Sequence, residues 1–142
     1  MTRRALLVAV WAVRLRADAA DDVWSLIASM ASALVDGNVS EFMSYFDPAM
    51  PGFDELRSDV TALVREFVAQ SSIDPVKNEG DDRNRALELD WRLTLVDQQN
   101  DASATNREQD VKCRLVKTGR KWRITAFEPV SLFAPPAARM PA

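Results

Sequence analysis

The sequence predicts an α+β domain, with three helices in its first half packed against an antiparallel sheet built from its second. Three observations carry that prediction. From Leu87 the odd positions Leu87, Leu89, Trp91, Leu93 and Leu95 are apolar while Glu88, Asp90, Arg92 and Thr94 lie between them, the period of two that marks a strand with one buried face. Upstream, apolar residues recur at helical spacing, as Val23, Ile27, Met30 and Leu34 and again as Phe53, Leu56, Val60, Leu63, Val64, Phe67 and Val68. The helical and strand patterns are segregated along the chain rather than alternating, and 142 residues are enough for one domain with a core of its own.

The elements follow in order. Residues 1–20 begin with Arg3-Arg4, continue through the apolar run Ala5 to Val13 and reach Ala17-Asp18-Ala19. This is the layout of a secretory leader, which would make the domain an exported one whose mature chain starts near Ala20. Arg14 and Arg16 stand between the apolar run and the cleavage motif, where charge disfavours export, and they favour the other reading, an N-terminal helix belonging to the domain. In either case the run is too short to span a bilayer as a stable anchor. A helix is expected to open at Asp21-Asp22, with carboxylates at the positive end of its dipole, and to close at Gly37. Asn38 and Glu41 have the spacing of a capping box for a second, short helix carrying Phe42 and Phe46, which Asp47-Pro48 ends. The third helix is expected over Phe53 to Val68. Ile73 to Glu79 reads as a strand placed at an edge by Pro75, and Gly80 to Arg83 as a turn.

The rest is an antiparallel meander. Val111, Cys113 and Leu115 alternate with Lys112 and Arg114, and Trp122, Ile124 and Ala126 with Arg123 and Thr125. A two-residue loop at Thr118-Gly119 would set Leu115 against Trp122 and Cys113 against Ile124. Centring the connection Gln98 to Asn106 would set Trp91 against Cys113 and Asp90 against Arg114. A short run, Val130 to Phe133, precedes a proline-rich tail, 134–142, expected to be disordered.

Composition excludes several functions. The net charge is −3, with acids and bases interspersed, so there is no electrostatic footprint for nucleic acid. The absence of histidine removes His-based triads and the commonest transition-metal ligand. Cys113, the one cysteine, falls on the apolar strand face as a small buried hydrophobe. Glu79, Asp81 and Asp82 lack the spacing of a calcium loop. No metal or cofactor is implied.

Two stretches carry a family resemblance. The run Ala33 to Phe46, helix, Asp36-Gly37-Asn38 break, helix, resembles the opening of the nuclear transport factor 2-like superfamily, also called SnoaL-like. The segment Lys117-Thr118-Gly119-Arg120-Lys121-Trp122-Arg123-Ile124 is similar to its last hairpin. The resemblance covers residues 21–133 and implies a cystatin-like cone, a curved sheet wrapped on helices, often with a pocket between them and often in a homodimer. It implies no single activity, since the superfamily holds isomerases, dehydratases, cyclases and binding domains.

The candidate sites follow from these expectations. An isomerase- or dehydratase-like enzyme of this fold would work with a carboxylate base in an apolar pocket. The segment expected to deliver that base is here Asp47 to Asp54, interrupted by Pro48 and Pro51, which leaves Asp54 and the single tyrosine, Tyr45, as weak candidates. Asp54 is more simply a first-turn helix acid, and Tyr45 a residue at the edge of the core. A pocket bounded by the apolar strand face would be lined by Trp91, Leu93, Trp122 and Ile124 and would suit a small apolar ligand. The opposite face carries Asp90, Arg92, Arg114 and Arg123; burying so many charges is costly, which places them at the surface, as an interface in a homodimer or with another protein. The reading is therefore a non-enzymatic domain binding a small ligand or a protein, with the enzyme as the alternative.

Overall fold

A computed structural model describes residues 2–100 and 102–136, with the side chains of the first helix described from Ala19 onward. Three helices, α1 (Thr2–Val35), α2 (Val39–Ser44) and α3 (Phe53–Glu66), precede strands β1 (Phe67–Gly80), β2 (Asn84–Asp97), β3 (Ala104–Thr118) and β4 (Lys121–Glu128), and a 3-10 turn spans Val130–Phe133. The strands form one curved antiparallel meander in the order β1-β2-β3-β4. The helices cover its inner face.

Helix α1 buries Val23, Ile27, Met30, Ala33 and Leu34, the stripe its periodicity predicts. It runs unbroken through Ala17-Asp18-Ala19, so Asp21 and Asp22 are exposed interior positions and not the opening of a helix. Its end is set by Gly37 at φ +70°, which lets the Gly37 N–H reach the Leu34 carbonyl (3.0 Å) and the Asn38 N–H reach that of Ala33 (2.9 Å). Asn38 then caps α2, its Oδ1 accepting from the Glu41 N–H at 3.1 Å. Helix α3 stops at Glu66, two residues before its expected end. From Phe67, buried, and Val68, exposed, the burial alternates with period two, so the last apolar positions of the helical pattern belong to the strand that follows.

Strand β1 is therefore twice the expected length. It is an edge strand, paired only with β2, and the register jumps between Pro75 and Lys77, a bulge at the position where proline cannot donate to the ladder. The β2–β3 register differs from expectation by four residues. Leu87 faces Cys113, Leu89 faces Val111 and Asp90 faces Asp110. The reason lies in the turn. Asp97 Oδ1 accepts from the Gln99 N–H and Asn100 Oδ1 from the Ala102 N–H, and the Ser103 N–H bonds the Asn100 carbonyl. These side-chain turns tighten the connection and centre it earlier. The β3–β4 loop is Gly119-Arg120 and not Thr118-Gly119: Gly119 takes φ +64°, Thr118 faces Lys121 and Leu115 faces Ile124, with a bulge that brings Cys113 opposite Phe127. The offsets of four between β2 and β3 and of two between Leu115 and Ile124 preserve parity, so the apolar face survives there while the partners change; past the bulge the offset is odd, and Phe127 turns into the core where Ala126 was expected.

Candidate functional site

The space between helices and sheet is where a pocket is expected, and aromatic rings occupy it. Phe133, carried inward by the 3-10 turn, packs edge-on to Phe42 (5.4 Å between centroids) and Trp91 (5.4 Å). Phe127 meets Trp91 at 5.9 Å, Phe46 at 5.9 Å and Phe133 at 5.6 Å. Trp91, Leu93, Trp122 and Ile124 are all buried in this core. Among the described residues no charged or polar residue is buried in it. Trp91 Nε1 donates to Ser71 Oγ at 3.1 Å, while Trp122 Nε1 is buried without a partner. Arg107 reaches the rim of the core from β3, where its Nη1 donates to the Leu132 carbonyl at 2.7 Å and ties down the 3-10 turn; partial burial lowers its pKa. The rings of Phe127 and Phe133 and the Arg107 tie were missed in the sequence. Phe127 lies past the bulge, and Phe133 sits in a run too short for any periodicity to register.

The acid and phenol candidates sit apart from this interior. Asp54 stands in the first turn of α3 with its side chain 92 % exposed and its carboxylate 3.4 Å from Arg57, the place of an acid stabilised by the helix dipole. Tyr45 is half-buried at the C-cap of α2. Its backbone carbonyl accepts from the Ile124 N–H at 2.9 Å, and the Asp47 N–H donates to the Ile124 carbonyl at 2.8 Å. The segment after α2 thus touches β4 over the single bridge Phe46–Ile124, and Asp47 turns its carboxylate to the Ala49 N–H. Cys113 is buried, and burial pushes its thiol up to about 12, which leaves it protonated and unreactive.

The charges gather on the outer face of the sheet, in cross-strand rows set by the register. One row is Asp74, Asp90 and Asp110, three acids directly opposite one another on β1, β2 and β3. The next contains Lys77, Glu88, Lys112 and Glu128, in which Glu88 is shared by Lys77 (3.7 Å) and Lys112 (3.8 Å). On the other side Arg92 lies between Asp90 (3.8 Å) and Glu108 (3.6 Å). Each opposite pair contributes about 0.2 to 1 kcal/mol, and like charges placed directly opposite cost a similar amount. The expected Asp90–Arg114 pair does not form: Arg114 is flanked by Ala86 and Ala126. An open depression of about 330 Å³ lies beside it, walled by Lys77, Glu88, Lys112, Arg114 and Glu128. Arg123 lies one row further on, opposite Val116. The structure thus brings Asp90, Arg92 and Arg114 onto one surface, as expected, but in a different pairing.

No protein-family model matches the chain, and no curated protein is similar to it in sequence. Its fold is shared by solved structures. A nuclear transport factor 2-like superfamily protein from Salmonella enterica superposes with a TM-score of 0.66 at 15% identity, over 78% of this chain and 89% of that one. A conserved protein from Planctomyces limnophilus gives 0.67 at 6% identity, over 74% and 89%. A protein with a cystatin-like fold from Nostoc punctiforme gives 0.56 at 19% identity, over 74% and 84%. The chain has the nuclear transport factor 2-like, SnoaL-like cone fold, as the resemblance of its two motifs implies.

Proposed function

We propose that this nuclear transport factor 2-like cone is a non-enzymatic interaction domain that pairs with a second copy of itself through the outer face of its sheet. The observation that supports the reading is the Asp74-Asp90-Asp110 row, three adjacent acids of which Asp90 meets a cation only at 3.8 Å, in Arg92, while the cation two rows away, Arg114, has no ion pair among the described residues. A two-fold axis lying between the two copies, parallel to the sheet and crossing the line from Asp90 to Arg114 at its midpoint and at a right angle to it, would set Asp90 of each copy over Arg114 of the other. Each contact then occurs twice, as an isologous interface requires. The arrangement would relieve the acidic row and fill the depression beside Arg114.

Light scattering and sedimentation at micromolar concentration test this. A dimer is expected that weakens with added salt, because the contacts are ionic. Asp90→Arg and Arg114→Asp are each expected to dissociate it, and the double substitution Asp90→Arg/Arg114→Asp to restore it. A monomeric mass in the unaltered protein, or failure of the double variant to recover, would count against the interface.

A further inference from the structure

Residues 23–35 of α1 contain no charged side chain, whereas the outward face of α3 carries Asp54, Glu55, Arg57 and Arg65, all exposed. A solvated helix face is ordinarily charged or strongly polar. Val23, Ile27, Met30 and Leu34 enter the domain's own core. A second stripe, Trp24, Ala28, Ala31 and Val35, follows them by one position each and so lies about 100° round the helix. Trp24 and Ala31 are half-buried, Ala28 is exposed and Val35 is 42% exposed. With Ser71 and Ile73 of β1 this stripe lines an open groove of about 300 Å³. Among the described residues the exposed large hydrophobics are Val35, Val68 and Val76, and the latter two stand on β1, the strand that borders the groove.

The spacing of the stripe matches itself in reverse. A second α1 running the other way, with the two-fold axis between Ala28 and Ala31, sets Trp24 opposite Val35 and Ala28 opposite Ala31, each pair twice. The alanines lie at the crossing, where small side chains let two helices approach closely, and the larger residues close the ends. The acids that bound the stripe, Asp21, Asp22 and Asp36, fall opposite Asn38, Gly37 and Val23, so no like charges meet. A parallel copy would set Asp21 against Asp21 and Trp24 against Trp24. A charged partner segment finds no counter-ion on this face, and a strand added to β1 meets the interruption at Pro75.

We infer that Trp24, Ala28, Ala31 and Val35 form a second self-association surface, on which α1 of another copy packs antiparallel. It shares no residue with the sheet-face contact through Asp90 and Arg114 and does not depend on it. Trp24 to Val35 spans about 16 Å of helix. So narrow a strip buries less than the roughly 800 Å² per partner of a standard stable interface. The contact is therefore the weaker of the two, filling at concentrations on the order of 100 μM. Where both form, sheet-paired dimers are joined through α1 into larger assemblies.

Sedimentation of the full chain in about 0.5 M sodium chloride, which screens the ionic sheet-face contact, tests the inference. A monomer–dimer equilibrium is expected there between about 10 and 500 μM. Ala28→Glu, which places a carboxylate from each copy at the crossing, is expected to raise its dissociation constant at least roughly tenfold with an unchanged circular dichroism spectrum. Ala28→Ser and Arg114→Asp are expected to leave it unchanged. Cross-linking reads the register. On a Cys113→Ala background, an equimolar mixture of Trp24→Cys and Val35→Cys chains is expected to form a disulfide-linked dimer under mild oxidant, and neither variant alone to do so, because like positions lie about 16 Å apart. A monomer throughout that range, an undiminished dimer in Ala28→Glu, loss of the high-salt dimer in Arg114→Asp, or cross-linking in the single-variant samples equal to that in the mixture would each overturn it. Assembly insensitive to salt, kept by Arg114→Asp and lost in Ala28→Glu, would support this contact and count against the one on the sheet, so the two fail separately.

Discussion

Cys113 and Phe133 show how strongly a side chain's behaviour depends on which face it occupies. Cys113 alternates inward on β3 and is 2 % exposed, so thiol reagents are expected to leave the native protein unmodified and to react at once in denaturant, a difference that mass spectrometry of the alkylated protein would read. The same burial has a pH signature. The folded thiol titrates at about 12 against an ordinary 9.0, so its contribution to stability is complete below pH 9.0 and lost as pH rises toward 12. Chemical denaturation between pH 9 and 11 is expected to show a decline of about 1 kcal/mol per pH unit that Cys113→Ala lacks. Phe133 touches three other rings, and Phe133→Ala is expected to cost about 3 to 5 kcal/mol in urea unfolding by leaving a cavity. A loss below 1 kcal/mol would mean that the 3-10 turn does not hold the ring in the core.

At the scale of elements, boundaries depend on single capping and bulge residues. The α1–α2 break needs Gly37 at positive φ and the Asn38 side chain at the head of α2. Asn38→Ala is expected to cost about 1 kcal/mol in thermal or urea unfolding, and Asn38→Gly only a few tenths, because glycine is itself tolerated at the cap; no loss of stability in either variant would show that the Asn38 hydrogen bond contributes nothing. Strand β1 is an exposed edge fourteen residues long, and Pro75 with the adjacent bulge interrupts it. Such interruptions stop an edge from pairing with other chains. Pro75→Thr is therefore expected to raise concentration-dependent aggregation, measured by turbidity on warming, without lowering the unfolding midpoint.

At the scale of the whole molecule, apolar aromatic packing fills the inside of the cone and the ordered charge lies outside it. A filled interior is expected to hold no small apolar ligand, so indole should give no shift in melting temperature with the unaltered protein and a measurable rise with Phe133→Ala, where an apolar cavity is created. A shift of the same size in both would place an open pocket in the native protein. How much of this organisation can be read along the chain depends on the range of the interaction that sets it. Local chemistry is legible: the helical stripe of α1, the Asn38 cap, the edge placement of β1 by Pro75, and the apolar parity of Leu87 to Leu95 and of Val111 to Leu115 all follow from neighbours a few residues apart, and the two motifs that resemble the cone fold rest on the same signals. The tertiary structure decided what those signals leave free. It ended α3 at Glu66 because Phe67 and Val68 fit a strand as well as a helix, it moved the β2–β3 register by four residues because the side-chain turns at Asp97 and Asn100 shorten the connection, and it set Asp90 against Asp110 where Arg114 was expected. An even shift keeps every residue on its own face, so the apolar side of β2 and β3 was determined by sequence alone, while the turn of Phe127 into the core past the β4 bulge and the pairing of charges across the outer face were determined only once the strands met.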